Sequence, residues 1–302
     1  MTRGVLIFGS VALDSVETPF GKRKNILGGS ATHAALSASY FTTSVIVSAI
    51  GKDFPSEYKK FLEKNRVNLK NVKVKKGKTF TWEARYGENP NEREVLSTCE
   101  NVLANYSPSI LPEYQKIKYV FLANNSPSSQ ILLLNQVKAA ELVMWDTMTF
   151  WIDRYPKQIL KILPRVDIAL FNDSEARHFS GETNLAKAGK KILSLGVKKG
   201  VVVKKGEHGA FLFTRSYTFH IPAYLLEEVK DPTGAGDSFA GGLIGFLAEE
   251  GKLNDENLKR GMAYGTIMAS LTVEEFGVDR FKELTKKDID ARYCQLKKLT
   301  KF

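Results

Sequence analysis

One stretch of this chain gathers residue types suited to moving a charged group: Asp231-Pro232-Thr233-Gly234-Ala235-Gly236-Asp237-Ser238-Phe239. Just downstream, Phe239, Leu243, Phe246 and Leu247 fall at i, i+4, i+7 and i+8, the spacing of a helix with one buried stripe. At its front, Gly234, Ala235 and Gly236 leave backbone N–H groups unobstructed, and the helix dipole adds to their pull on an anion. Asp237 sits in the first turn, where its carboxylate is held ionised. Phosphoryl transfer needs this combination: donors for the charge on the moving group, and a carboxylate to take the acceptor hydroxyl's proton. The same residues also suit a plain Asp-capped helix after a glycine turn, so the stretch alone does not decide. Gly241 and Gly242 interrupt the helix and cost about 1 kcal/mol each relative to Ala. Their presence implies close approach by another backbone or by a nucleotide.

Other chemistries lack their signatures. No GxxxxGK[ST] loop is present and no GxGxxG follows a strand, which argues against P-loop kinases and dinucleotide dehydrogenases. His33, His178, His208 and His220 show no metal-ligand spacing, and no Gly-x-Ser-x-Gly elbow is present. Cys99 and Cys294 are the only cysteines, too few for a disulfide framework or a four-cysteine zinc site.

The elements that must position the motif read as α/β. Strand-length apolar runs at Val5–Gly9, Val45–Ile50, Val120–Ala123, Leu142–Trp145, Ile168–Phe171 and Val201–Val203 alternate with helical spacing at Phe54–Asn65, Ser129–Ala139 and Trp151–Leu163. Such alternation predicts a mostly parallel central sheet with helices on both faces, ligands sitting beyond the carboxyl ends of its strands. A strand pair at Val201–Lys205 and Ala210–Phe213 is followed by long helices over about Ser238–Glu249 and Asn257–Val273. A terminal helix, Lys286 to Lys301, turns Ile289, Tyr293 and Leu296 inward. One region departs from this rhythm: Lys78–Tyr86 alternates strictly, with Phe80, Trp82, Ala84 and Tyr86 on one face. Gly87-Glu88-Asn89-Pro90-Asn91 supplies a turn, and Glu94–Thr98 returns as a second strand. A lone hairpin is marginal, so Asp14–Pro19 and Asn25–Leu27 are its expected partners. The result is either a surface ornament or, on the sharper reading, a β-sheet lid formed by about 14–27 and 78–98.

The 302 residues are 43% hydrophobic, enough for one large domain with a small appendage. Net charge is +11, from 44 Lys+Arg against 33 Asp+Glu, which suits anionic ligands such as ATP. The lysines are scattered (Lys22 and Lys24, Lys73 to Lys78, Lys198 and Lys199, Lys297 and Lys298) without interleaved aromatics. That pattern is a solvated surface rather than a nucleic-acid footprint. The short apolar run Val5 to Phe8 after Met1-Thr2-Arg3 is below signal-peptide length, and no stretch approaches a membrane span. A cytoplasmic setting without membrane contact is expected.

The segment Asp231–Gly242, DPTGAGDSFAGG, resembles the C-terminal signature of the ribokinase-like (PfkB) family of carbohydrate and nucleoside kinases. The resemblance extends over essentially the whole chain, 1–302. Leu27-Gly28-Gly29-Ser30-Ala31-Thr32-His33-Ala34-Ala35 resembles the family's glycine-pair segment, and Gly51-Lys52-Asp53 its G-x-D. Asn172-Asp173-Ser174-Glu175 resembles N-x-x-E, and Lys204-Lys205-Gly206-Glu207-His208-Gly209 the nucleotide-binding turn.

The resemblance implies an ATP-dependent phosphotransferase acting on a hydroxyl of a small sugar or sugar-like molecule. It assigns Asp237 as base and the amides of Gly234, Ala235, Gly236 and Asp237 as anion hole. Asn172 and Glu175 would organise Mg²⁺, an ion that prefers oxygen ligands and keeps its waters; they equally suit an N-capping Asn and a first-turn Glu. Lys204, Gly206 and Gly209 would lie along ATP. Asp14, at the end of the first strand segment, would bond substrate hydroxyls, with Gly28 and Gly29 allowing close approach and Ser30 and His33 nearby. Asp231 and Thr233 match positions that help hold a monovalent cation such as K⁺. Departures are visible too. Ribokinases read GGKGAN where this chain reads Gly-Gly-Ser-Ala-Thr-His, so Ser30 removes a long cation and His33 replaces an amide. His33 is then either a substrate contact or a buried uncharged ring. Arg85, Arg93 and Trp82 of the lid are candidates to clamp or stack on substrate. A nucleoside (adenosine-type) kinase and a non-catalytic ligand sensor on the same fold are the alternatives. A homodimer closed through the lid is also open.

Overall fold

A computed structural model describes residues 4–104 and 106–301; Met1–Arg3, Asn105 and Phe302 lie outside it. The strands and helices follow one another as β1 (Val5–Phe8), β2 (Ala12–Thr18), β3 (Gly21–Gly28), α1 (Ser30–Ser39), β4 (Ser44–Ile50), α2 (Ser56–Lys64), β5 (Val67–Asn68) and β6 (Val72–Val74). Then come β7 (Phe80–Tyr86), β8 (Arg93–Cys99), β9 (Tyr119–Leu122), α3 (Pro127–Leu134), β10 (Leu142–Asp146), α4 (Thr149–Arg154), α5 (Pro156–Ile162) and β11 (Ile168–Asn172). The chain continues through α6 (Asp173–Ser180), α7 (Leu185–Ser194), β12 (Gly200–Lys204), β13 (Ala210–Phe213), β14 (Thr218–Ile221), α8 (Ala235–Glu250), α9 (Asp255–Thr272) and α10 (Lys286–Leu299).

Ten strands form the large sheet in the order β14-β13-β12-β11-β10-β9-β1-β4-β5, with β6 also on β4. From β12 to β4 all neighbours are parallel, and β13 and β14 close one edge antiparallel. The strands are apolar on both faces because both faces are covered. Val5 and Ile7 of β1 enter a core shared with Ala34 of α1, Leu243 of α8, Met262 of α9 and Ile289 of α10. Leu6 and Phe8 enter a second core with Leu133 of α3, Ile159 of α5, Ala176 of α6 and Ile192 of α7. Burying each such side chain contributes about 1.5–3 kcal/mol, which is what fixes the register of the short central strands.

A second, four-stranded sheet has the order β3-β2-β7-β8. The strands expected over 14–27 and 78–98 lie at 12–28 and 80–99. β2 and β3 form one hairpin, β7 and β8 another, and β2 joins β7 in parallel, Asp14 opposite Trp82. Ala84 and Tyr86 are buried beneath it with Val16, and Trp82 packs against them, so the alternation reads a true inner face.

Two expected helices are shorter in the structure. The helix expected over Trp151–Leu163 is broken: α4 ends at Arg154, Tyr155 turns out of the helix at φ −134, and Pro156 begins α5. Proline disfavours helical backbone at the residue before it, so the apolar spacing spans two helices. The helix expected over Ser129–Ala139 stops at Leu134, after which Gln136 folds back to accept from the Ile110 N–H at 2.9 Å. Tyr293, Ile289 and Leu296 of α10 do face inward, Tyr293 stacking on Tyr264 at 4.6 Å.

Candidate active site

Helix α8 begins where the glycines end. Gly234 is its N-cap, in the left-handed region at φ 77, and no side chain caps the first turn. The Ala235 N–H donates to the Pro232 carbonyl at 3.3 Å. The amides of Gly236 and Asp237 lie in the first turn, where a helix offers no internal acceptor. A side chain on Gly234 would run into the imidazole of His33, and one on Gly241 into the backbone of α1 at Ala34. The close neighbour of Gly241 is therefore another helix, not a nucleotide. Gly242 is likewise closed in, by Met268 and the Tyr264 carbonyl of α9.

Asp237 as a whole residue is half-buried. Burial by the surrounding protein, followed by the negative charge of Asp146, pushes it up to about 7; Lys204 and Arg93 pull the other way. Lys204 ends β12 and bonds Asp146, the last residue of β10, at 2.7 Å. A Cβ on Gly236 would lie 3.1 Å from the Lys204 Nζ, so the ammonium sits beside the first turn of α8. Burial alone would lower Lys204, but Asp146, Glu175 and Asp237 outweigh it and hold the ammonium above the ordinary lysine range.

Asn172 ends β11 opposite Lys204 in the ladder and caps α6. Its side chain accepts from the Glu175 N–H at 2.7 Å, while Glu175 Oε2 accepts from the Asn172 N–H at 2.8 Å. This capping box uses one oxygen of each residue and leaves Glu175 Oε1 without a hydrogen bond among the described residues. Burial, with Asp146 adding, pushes Glu175 up to about 7. Among the described residues no cluster of three or more His, Cys, Asp or Glu side chains could cage a metal.

Asp14 lies within β2 of the small sheet, not at the end of β1 as the sequence suggested. Its Oδ2 accepts from the Gly29 N–H at 3.2 Å, and its Oδ1, though buried, has no partner among the described residues. Burial, with Asp231 and Asp237 adding, pushes it up to about 8. Gly28 is pressed so closely on this carboxyl that a side chain there would overlap it. Ser30 spends its hydroxyl internally, accepting from the Ser10 N–H at 3.1 Å and donating to the Asn124 carbonyl at 3.1 Å. His33 is buried, both ring nitrogens have no partner among the described residues, and burial lowers it to about 4, which leaves it neutral.

Asp231 ties the loop before α8 to the turn after α9. One oxygen accepts from the Thr233 N–H and the other from the Gly277 N–H, both at 2.9 Å, and the Lys230 N–H donates to the Val273 carbonyl. Residues 273–277 therefore sit beside Asp231, although sequence spacing gave no alignment for them.

The small sheet meets this ground at two points. Thr233 Oγ1 donates to the Tyr86 hydroxyl at 3.2 Å. Asn91, in the β7–β8 turn, donates to Glu207 at 3.3 Å and presses its oxygen against Gly206. Arg93 lies 6.0 Å from the Trp82 ring and faces the carboxyls of Asp237 and Glu175. Arg85, by contrast, is exposed and engaged with Glu17 and Glu94, so it is spent on the outer face of the sheet. Gly209 backs onto the Ile221 carbonyl of β14.

The structure thus brings together Asp14, Asn172, Glu175, Lys204 and Gly234 through Asp237. Sequence reasoning missed Asp146. The available signal was its position: an acid directly after the strand read as Leu142–Trp145, at the carboxyl end of a parallel strand.

Residues 9–285 match the pfkB family of carbohydrate kinases. The chain belongs to that family. It is therefore a phosphotransferase, and kinases of this family use ATP. The kinase is 30% identical over 248 residues to cytidine kinase of Thermococcus kodakarensis, covering 80% of this chain and 87% of that one. Its fold is that of the nucleoside kinase of Methanocaldococcus jannaschii, with TM-score 0.77 and 18% identity over 97% of this chain and 98% of that one. A fructokinase from Vibrio cholerae, solved with fructose, ADP and calcium ion, gives TM-score 0.76 at 16% identity, covering 97% of this chain and 99% of that one. No helix among the described residues is long and apolar enough to cross a membrane.

Proposed function

We propose that the kinase transfers the γ-phosphoryl group of ATP to a hydroxyl of a small sugar or sugar-like molecule, with Asp237 as the base. The observation that carries this reading is the Asp237 carboxyl in the first turn of α8, where the amides have no side-chain cap and the Lys204 ammonium sits close by. A group held near neutrality accepts a proton and returns it without a large penalty. The amides of Gly234 to Asp237 receive the charge of the moving phosphoryl group. Lys204 binds ATP beside Gly236, and the nucleotide extends from there toward Gly206 and Gly209. Asp14 takes acceptor hydroxyls through its unpartnered Oδ1, with Gly28, Gly29, Ser30 and His33 shaping the surroundings.

The residues fit Mg²⁺. Asn172 and Glu175 offer a spare amide lone pair and a spare carboxylate oxygen, and the lack of an all-protein cage suits an ion that keeps waters and phosphate oxygens. When bound, Mg²⁺ neutralises phosphate charge. Asp231, Thr233 and the carbonyl-bearing turn at 273–277 would hold a monovalent cation such as K⁺. The small sheet acts as a lid over a single domain spanning 1–302; its contacts with Thr233 and Glu207 would exclude water while the acceptor hydroxyl is held in line. The lid's outer strands could equally be completed by a second copy. A cytoplasmic setting, without membrane or nucleic acid as partner, completes the reading.

A nucleoside acceptor is the second reading, favoured by the extent of the match to a cytidine kinase. The test is ADP release with Mg²⁺-ATP and K⁺ across sugars, polyols, nucleosides and sugar phosphates. A rate dependent on one acceptor class supports the kinase and identifies that class. ATP binding with no acceptor-dependent release from any class sinks the reading in favour of a ligand sensor.

A further inference from the structure

We infer that Asp146 is a positioning residue that fixes the Lys204 ammonium at the phosphoryl end of the nucleotide site, so that Lys204 acts on the group being transferred rather than along the rest of ATP. The inference rests on the kinase reading and adds a residue to it. A lysine at a strand end ordinarily extends its ammonium into water. Lys204 does not: its side chain is 17% exposed, and the carboxylate that holds it, Asp146, is 5% exposed. Among the described residues no other carboxylate lies within ion-pair distance of Lys204. The Nζ position beside Gly236 places the charge at the first turn of α8.

Asp146 is itself immobilised. Its second carboxylate oxygen accepts from the Thr147 N–H at 2.9 Å, and its carbonyl accepts from Gln130 Nε2 at 3.1 Å. Gln130 is fully buried and bound in turn to the Trp145 indole at 2.7 Å and the Ala123 carbonyl at 2.9 Å. The aspartate is thus held by the ends of two adjacent strands. Arg93 from the lid also faces Asp237 and Glu175, but it is exposed, and only Lys204 is held in place by a buried partner.

A buried ion pair is a poor device for stability, because desolvation offsets much of the attraction. Three carboxylates, Asp146, Glu175 and Asp237, face one ammonium here, and together they keep it charged despite its burial. An anionic phosphoryl group arriving beside Gly236 would meet a cation already oriented, which is how preorganised charge lowers a barrier.

The test compares wild type, Asp146→Asn, Lys204→Met and the double variant. Steady-state ADP release is measured with an accepted hydroxyl substrate. Each single substitution is expected to lower kcat on the order of 100-fold with little change in acceptor KM. The double variant is expected to be no worse than Lys204→Met, because Asp146 acts only through Lys204. Calorimetric binding of ADP and of a non-hydrolysable ATP analogue supplies a second readout: both single variants lose preference for the triphosphate. Asp146→Asn with wild-type kcat and undiminished triphosphate preference, or multiplicative losses in the double variant, overturns the inference. If wild type binds nucleotide but turns over no acceptor, the kinase reading fails, while the ATP-to-ADP preference still decides the role of Lys204.

Discussion

The imidazole of His33 fills the space that any side chain on Gly234 would need. Gly234 is also left-handed, at φ 77, so an alanine there is strained twice. We expect Gly234→Ala to lose on the order of 1–3 kcal/mol of stability and nearly all turnover, since α8 could begin only by displacing His33. Thermal melts and ADP release read the two effects; wild-type values in both would refute the packing argument.

Asp237→Asn keeps the shape of the first turn but removes the proposed proton acceptor. The fold should be intact by circular dichroism, with kcat lowered by about 10²–10⁴-fold, the range of general-base catalysis. Turnover within a few-fold of wild type would remove Asp237 from its assigned role.

Activity and stability should move oppositely with pH. Asp237, pushed up to about 7, works only when ionised, so kcat/KM should rise as pH increases through that value. Stability follows the reverse sign. Asp14, raised to about 8, and Asp237 bind protons more tightly folded than unfolded, so their contribution is lost as pH climbs from about 4 through these values. His33, lowered to about 4 from an ordinary 6.5, acts oppositely, but only between those two pH values. Above pH 6.5 the melting temperature should therefore fall, and Asp14→Asn should flatten that fall; an unchanged slope would show that Asp14 titrates normally.

The lid contacts predict a defect in coupling rather than in chemistry. Tyr86→Phe removes the hydroxyl that accepts from Thr233, and Asn91→Ala removes the contact with Glu207. Both variants should raise acceptor KM several-fold and increase ATP hydrolysis without acceptor, because water reaches the site more often. A wild-type ratio of hydrolysis to transfer would show that these contacts do not govern closure.

What was legible in the sequence was local. The glycine turn before Asp237 marks a helix start because glycine frees both the backbone and the space around it. The strict alternation of Phe80 to Tyr86 marks a strand with one inner face. Asn172 and Glu175 announce a capping box by spacing alone, though what else they hold is not written there. What escaped was non-local. Nothing in the segment around Asp14 specifies parallel pairing with Trp82, 68 residues on. The aspartate after Trp145 shows its place at a strand end, but its partner emerges only when β12 brings Lys204 beside it. The break at Tyr155 was locally visible through Pro156, but the apolar spacing outweighed it.

Helix α8 lies between α1, which meets it at Gly241 and Gly245, and α9, and its side chains fill the core on that face of the large sheet. It also follows every strand of both sheets in the chain. A nascent chain halted before residue 235 would already carry Asp14, Glu175 and Lys204, but with a gap where this wedge belongs. The segment that fills this gap, ahead of α9 and α10, is the one that carries Asp237, so the proposed base and the wedge arrive together. Partly made or partly opened chains would therefore be poor at squandering ATP, a safeguard that comes from chain order alone.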